Sequence, residues 1–306
     1  MKSCFQVFLG RCGVWAWAFL SWSPMLWGSR EGPVDDPVRL NFTFANVGNA
    51  SLDDGGKFGF THYYTSLNSP AVRWGVLSIG LGLAYDYEDY RFEGFNRFQD
   101  GWDGVHRFQL SAPIFYRVDE DWQVMLIPSL GFAREGELKW GAEDLNVGLV
   151  ASVGRSFGRE RFVGLGFGVF DGFDETSGFG FVAVRWRFGE DWLIANPFRP
   201  GPTGSAGLEL SWSGLQGYEI GVGGSYRKFT FRLDDSGLAP GGTGEVLSVP
   251  VWLRVTAILS REVNLNLYGG AALFGEVTAR DAERRRLARD DFDPGLLIAI
   301  NTSIHF

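Results

Sequence analysis

Alternation of apolar and polar residues limits this chain more than any other feature. In "VRLNFTFA", Val38, Leu40, Phe42 and Phe44 share one parity; in "WQVMLIPSLGF", Trp122, Val124, Leu126, Leu130 and Phe132 do; in "LSVPVWLRVTAIL", Leu247, Val249, Val251, Leu253, Val255 and Leu259 do. A period of two belongs to a β-strand with one apolar and one polar face. Many of the runs are about ten residues long, the length of a tilted strand crossing a bilayer. Beyond the N-terminal region no run approaches the ~18 consecutive apolar residues of a spanning helix. The 43 glycines, 16% aromatic content and mean hydropathy of -0.04 suit turns and twisted sheets better than a helical core.

Candidate strands fall near 38–47, 57–66, 72–88, 105–117, 122–133, 145–157, 162–170, 178–188, 191–197, 204–213, 217–232, 245–259, 263–275 and 295–306. The segment 191–197 is short and contains Pro197, so the count is fourteen, or twelve without it and a partner. Short spacers ("LNSPA", "VDED", "GRE", "GED", "SGLQG", "SREVN") alternate with longer ones at 48–56, 89–104, 134–144, 171–177, 198–203, 233–244 and 276–294. An even number of strands with short and long connections in alternation describes a transmembrane antiparallel β-barrel, with periplasmic turns and longer external loops. A soluble β-sandwich would alternate too, and is the competing fold.

Aromatic residues bracket five of the six short turns: Tyr64 and Trp74, Tyr116 and Trp122, Phe157 and Phe162, Phe188 and Trp192, Trp212 and Tyr218. Amphipathic rings concentrate where membrane meets water, so Trp74, Trp122, Trp192, Trp212 and Tyr218 are expected at one interface. The last segment, "GLLIAINTSIHF", alternates up to its final residue, Phe306. In outer-membrane barrels as a class a terminal aromatic is the recognition signal for the assembly machinery, and Phe306 matches it. With "YRVDEDWQVMLIPSLGF" and "WRFGEDWLIANPF", each a strand, an acidic turn and a Trp-initiated strand, most of residues 37 to 306 resembles an uncharacterised family of bacterial outer-membrane β-barrel proteins. That resemblance implies outer-membrane lipid, lipopolysaccharide and the barrel-assembly machinery as partners, and brings no catalytic residues.

Residues 1–28 read as a secretory signal peptide, with Lys2 and Arg11 ahead of an apolar run from Val14 to Leu20 and a cleavage boundary between 23 and 30; the barrel would occupy 29–306. A retained anchor is the alternative. Cys4 and Cys12 both lie in this segment, leaving the remainder without a disulfide or thiolate metal site. Losing Lys2 and Arg11 makes a net charge of -8 more negative still, against a nucleic-acid partner.

The motifs that carry chemistry elsewhere lack their context here. "GRSFG" around Ser156 matches a nucleophile elbow, but an alternating segment follows where that motif needs a helix. "GLGFG" lacks the helix of a phosphate loop. His62, His106 and His305 have no close metal-ligand spacing, and His106 and Ser111, five apart, fall on opposite faces of one strand. The acidic stretches 51–56, 171–178 and 289–295 lack full EF-hand spacing. No cofactor, metal or catalytic residue is expected.

If the apolar parity faces lipid, Arg39, Arg107, Arg185, Arg187 and Arg254 point into a lumen together with Glu209, Glu219 and Asp86. Small residues such as Gly148, Ser152, Gly164, Gly166, Gly221 and Gly223 share that face and would leave volume. Arginine rings favour anions. The expectation is a passive or weakly anion-selective channel for small solutes. The alternatives are that Arg and Glu pair and close the lumen, giving a structural or surface-interaction barrel, and a barrel lipid hydrolase using His106.

Overall fold

Strands that alternate in this way cannot satisfy their own backbone N–H and C=O groups, so each needs a neighbour on both sides. A computed structural model describes residues 38–306 apart from 70, 95–96, 99–100, 137–140, 174 and 197–205. The signal-peptide segment and both cysteines lie outside the described residues. Fourteen strands form, some in two collinear pieces. They are β1 (Arg39–Ser51), β2 (Lys57–Asn68 and Val72–Trp74), β3 (Leu77–Ile79 and Gly82–Glu93), β4 (Gly104–Ser111 and Ile114–Arg117), β5 (Trp122–Glu135), β6 (Leu145–Ser156) and β7 (Arg161–Gly172). They continue with β8 (Glu175–Phe188), β9 (Trp192–Ala195), β10 (Ala206–Leu215), β11 (Tyr218–Arg232), β12 (Thr243–Ile258), β13 (Val263–Arg280) and β14 (Arg286–Phe292 and Gly295–His305). Each pairs antiparallel with the next, and β14 returns to β1 with Arg39 opposite His305 and Val47 opposite Leu297. The sheet is a closed barrel. The short segment near 191–197 is a genuine strand, β9, held between β8 and β10.

The two faces separate as the alternation requires. Leu165, Leu296, Ile298 and Val222 stand outward with 65%, 65%, 57% and 56% of their surface exposed, while Leu297 and Ala299 between and beside them, and Ser152, Ser225 and Asn301 on the inward parity of their strands, are buried inside. A continuous outward apolar band of this kind is stable only against lipid, because in water it would far exceed the few hundred Å² of apolar patch that soluble monomers carry.

The register corrects the reading of three connections. "LNSPA" is not the first turn: the chain continues from Asn68 to Val72–Trp74 and reverses at Gly75 and Val76, where Gly75 takes φ 61°. Ser-Pro reads as a turn because proline cannot donate to a ladder, yet Ser69 keeps the ladder going through its amide on Leu81 O, while its hydroxyl accepts from the Leu81 amide. The stretch 171–177 is the tip of the β7–β8 hairpin, with Gly172 opposite Glu175. Most of 276–294 is an extension of β13 and β14, with Glu276 opposite Asp291 and a turn at 281–285. These extensions carry Arg, Asp, Glu and Thr on their outer face, and an apolar period cannot be seen in them.

The acidic turn between β4 and β5 also has a local reason. Asp119 accepts from the amides of Trp122 at 2.7 Å and Asp121 at 2.8 Å, which holds its carboxyl below the ordinary range. A lowered carboxyl contributes stability above its unfolded pKa and loses it as pH falls through the folded one. Asp119→Asn should therefore lower stability at about pH 6, by a difference that shrinks as pH falls below the ordinary carboxyl range, read by urea unfolding in vesicles. On the lipid face, Leu165→Arg should cost about 2–4 kcal/mol in the same assay.

Candidate functional site

The lumen has two halves of opposite chemistry, which one strand displays in full. On β3 the outward residues run Leu83, Tyr85, Tyr87 and then Asp89, Arg91, Glu93; the inward ones run Ala84, Asp86, Glu88 and then Tyr90, Phe92. Near the short turns the barrel is apolar outside and polar inside. Towards the long loops it is polar outside and aromatic inside, as a soluble domain would be.

The loop-end half is packed across its width. Tyr90 of β3 stacks on Phe231 of β11 with ring centroids 5.6 Å apart, and Phe58 of β2 meets Phe292 of β14 at 5.0 Å. The β3–β4 connection adds Phe98, 5.3 Å from Phe92, and Trp102, 5.4 Å from Phe231. Strands β5 and β11, with five strands between them along the wall, touch directly: Arg134 and Arg232 form a parallel bridge. Arg134 lies 3.3 Å from Asp144 and 3.4 Å from Asp234, and Glu135 accepts from the Asp234 amide at 3.0 Å.

Directly below lies a layer of charge. Glu88, 0% exposed, receives Arg227 from β11 and the Tyr90 hydroxyl. Arg107 binds Asp86 at 2.9 Å and stacks on Phe229 of β11 at 3.9 Å; His62 meets the other oxygen of Asp86 at 2.9 Å. Donor atoms of His62, Asp86 and Glu88 lie within 4.8 Å of one another, a metal-like spacing. Two guanidinium groups already occupy these carboxylates, so a divalent cation would meet competing positive charge. Arg227 and Glu88 join opposite walls, forming a latch. Sequence parity already places both inward, since Glu88 follows Asp86 by two and Arg227 follows Ser225 by two. What it could not give is that the two strands meet.

The turn-end half is lined by a polar belt. Arg254, 0% exposed, reaches Glu209 and Glu219 at 2.6 Å each and donates to Thr256. The chain of contacts continues from Thr256 to Asn266 at 2.6 Å, to Asn301 at 2.8 Å and to Thr43 at 2.9 Å. Arg187 lies 3.5 Å from Glu160 and donates to Glu190 O, and Arg39 sits opposite His305 in the register. Arg185 shares the inward parity of the fully buried Ala183. The small residues do not leave empty volume: a Cβ at Gly148, Gly154 or Gly166 would strike the rings of Phe170, Phe162 or Phe181, and one at Gly221 or Gly223 would crowd Arg254 or Trp252.

Of the turn-flanking aromatics, Trp74, Trp122, Trp192 and Tyr218 are exposed, and Trp212 is half-buried, 6.5 Å from Trp192. Phe306 is exposed, its amide donating to Val38 O at 2.9 Å. His106 turns outward to the Tyr85 hydroxyl at 2.7 Å and the Tyr87 ring at 4.7 Å. With Tyr63, 6.2 Å from Tyr87, these make a second outward aromatic group at the height where the outer face changes from apolar to charged.

That change of polarity, on a wall with no free edge at its closing seam, decides the class. The chain is a bacterial outer-membrane β-barrel. No family model and no curated protein matches the sequence. Among solved structures, this barrel is similar to an outer membrane channel from Pseudomonas putida F1, at 10% identity over 90% of this chain and 97% of that one with a TM-score of 0.47. It is similar to the KdgM porin at 8% over 88% and 99%, with a TM-score of 0.34. The toluene transporter TodX of P. putida is 10% identical over 94% and 92%, with a TM-score of 0.40. These likenesses are too distant to bear on the contents of the lumen.

Breaking the latch on one side strands a buried charge. Arg227→Met should destabilise the barrel by about 3–5 kcal/mol, and adding Glu88→Gln should recover most of that loss in a double-mutant cycle.

Proposed function

We propose that this barrel is a channel for small solutes, closed at its loop end by the Glu88–Arg227 latch and the aromatic packing above it. The observation that carries the reading is the polar belt of Arg254, Glu209, Glu219, Thr256, Asn266 and Asn301, which faces the lumen at the height of the lipid-facing band. Polar side chains there do nothing for contact with lipid, and their mutual hydrogen bonds are ones that a passing solute can exchange for its own. The same reading assigns Trp74, Trp122, Trp192, Trp212 and Tyr218 to the interface at the turn end, and Phe306 to recognition during assembly. Charge selectivity is weak in it, because most inward arginines are neutralised by carboxylates.

The cross-lumen packing favours one second reading, a barrel that never conducts and presents its loop end as a surface. Single-channel recording of the refolded chain in a planar bilayer separates the two. Under the channel reading, wild type gives rare openings and the Glu88→Gln/Arg227→Gln double variant opens about tenfold more often, the ratio expected for a latch worth about 1.4 kcal/mol. Silence from both, with insertion verified by heat-modifiable migration, would mean a non-conducting barrel.

A further inference from the structure

Four of the inward arginines are matched to acids. Arg107 holds Asp86, Arg227 holds Glu88, Arg254 holds Glu209 and Glu219, and Arg187 reaches Glu160. Among the described residues Arg185 makes no ion pair or hydrogen bond; Glu160 attracts it only from beyond contact distance, and its Nε is buried without an acceptor. A half-buried guanidinium with no carboxylate in contact is costly, and its like-charged neighbour on the strand, Arg187, offsets the pull of Glu160. The fold has acids close enough to have served. Glu209 stands in the same register row, separated from Arg185 only by Ala195, yet it is committed to Arg254 and to the Trp252 indole at 2.8 Å.

The surroundings of Arg185 define what would complete it. It faces Phe162 across the β7–β8 ladder, and Ala195 across β8–β9; Phe181 is on the same inward face of β8, with Leu193 beside Arg187. A planar fork of donors flanked in the register by a phenylalanine and an alanine, with Leu193 and Phe181 farther along the same wall, suits a planar two-oxygen anion on an apolar body better than a hydrated sphere. We infer that Arg185 is the anchor for the carboxylate of a small apolar organic acid in the turn-end half of the lumen. This deepens the channel reading and rests on it for its physiological meaning, while the binding itself does not require conduction.

The test measures binding and passage separately. With the refolded full barrel in detergent, 4-fluorobenzoate binding is followed by its fluorine resonance, and entry of benzoate into proteoliposomes is followed by swelling. Binding should be saturable in wild type, weaken at least tenfold in Arg185→Gln, weaken less in Arg185→Lys, which keeps charge without the fork, and persist in Arg187→Gln. Inorganic phosphate should compete poorly. Arg185→Gln should also resist urea at least as well as wild type, because it removes an uncompensated charge, whereas a structural arginine would leave the barrel weaker. Equal binding by wild type and Arg185→Gln, no binding by either, or phosphate competing as well as benzoate would each overturn the assignment. Binding without swelling would keep the anchor and count against the channel.

Discussion

Closure is the constraint from which the rest follows. In hydrocarbon an unpaired backbone N–H or C=O has no water to turn to, so a sheet can cross only if its last strand returns to its first. The β1–β14 ladder meets that condition, from Arg39 opposite His305 to Val47 opposite Leu297. Once the wall is closed, side-chain alternation sorts residues into lipid and lumen with no further choice. Asn41, Asn301 and Ser303 then face the interior on adjoining strands, where Ser303 donates to Asn41 at 2.7 Å.

The second organising feature is that the sorting rule reverses partway along the same strands. Below the outward Tyr87 and His106, lipid covers the outer face and the interior must accommodate polar groups. Above it, water covers the outer face and the interior can hold a hydrophobic core, each buried aromatic contributing about 1.5–3 kcal/mol. The charge layer of Asp86, Glu88, Arg107 and Arg227 lies at the junction. It separates a water-compatible compartment from an aromatic one, and its acids and arginines pair with one another at that boundary.

Much of this was legible in the sequence, and the gaps have physical causes. Strand number and the lipid-facing parity of β1, β5, β12 and β14 follow from apolar alternation, since lipid imposes it residue by residue. The outer extensions of β13 and β14 were hidden because water imposes no such pattern: Glu276, Arg289 and Asp291 read as loop. The inward placement of Arg107, Arg185 and Arg254 came from parity alone. That Arg254 is saturated and Arg185 is not could not be read, since it depends on which acids the register brings across neighbouring strands. Phe58 and Phe60 were the least legible, because an inward aromatic contradicts the rule that holds lower on the same barrel.

The contact between β5 and β11 bears on how the molecule comes together. Arg134 and Asp234 are 100 residues apart, Glu88 and Arg227 139, and Asn301 reaches Phe42 O across 259. Loop closure over such separations is slow because the chain loses its freedom before the contacts that reward it form. The aromatic core of the loop end draws on β2, β3, β11 and β14 at once, so no N-terminal portion of the chain can build it. Until the last strands arrive, those rings remain exposed, and the barrel depends during that interval on something else to shield them.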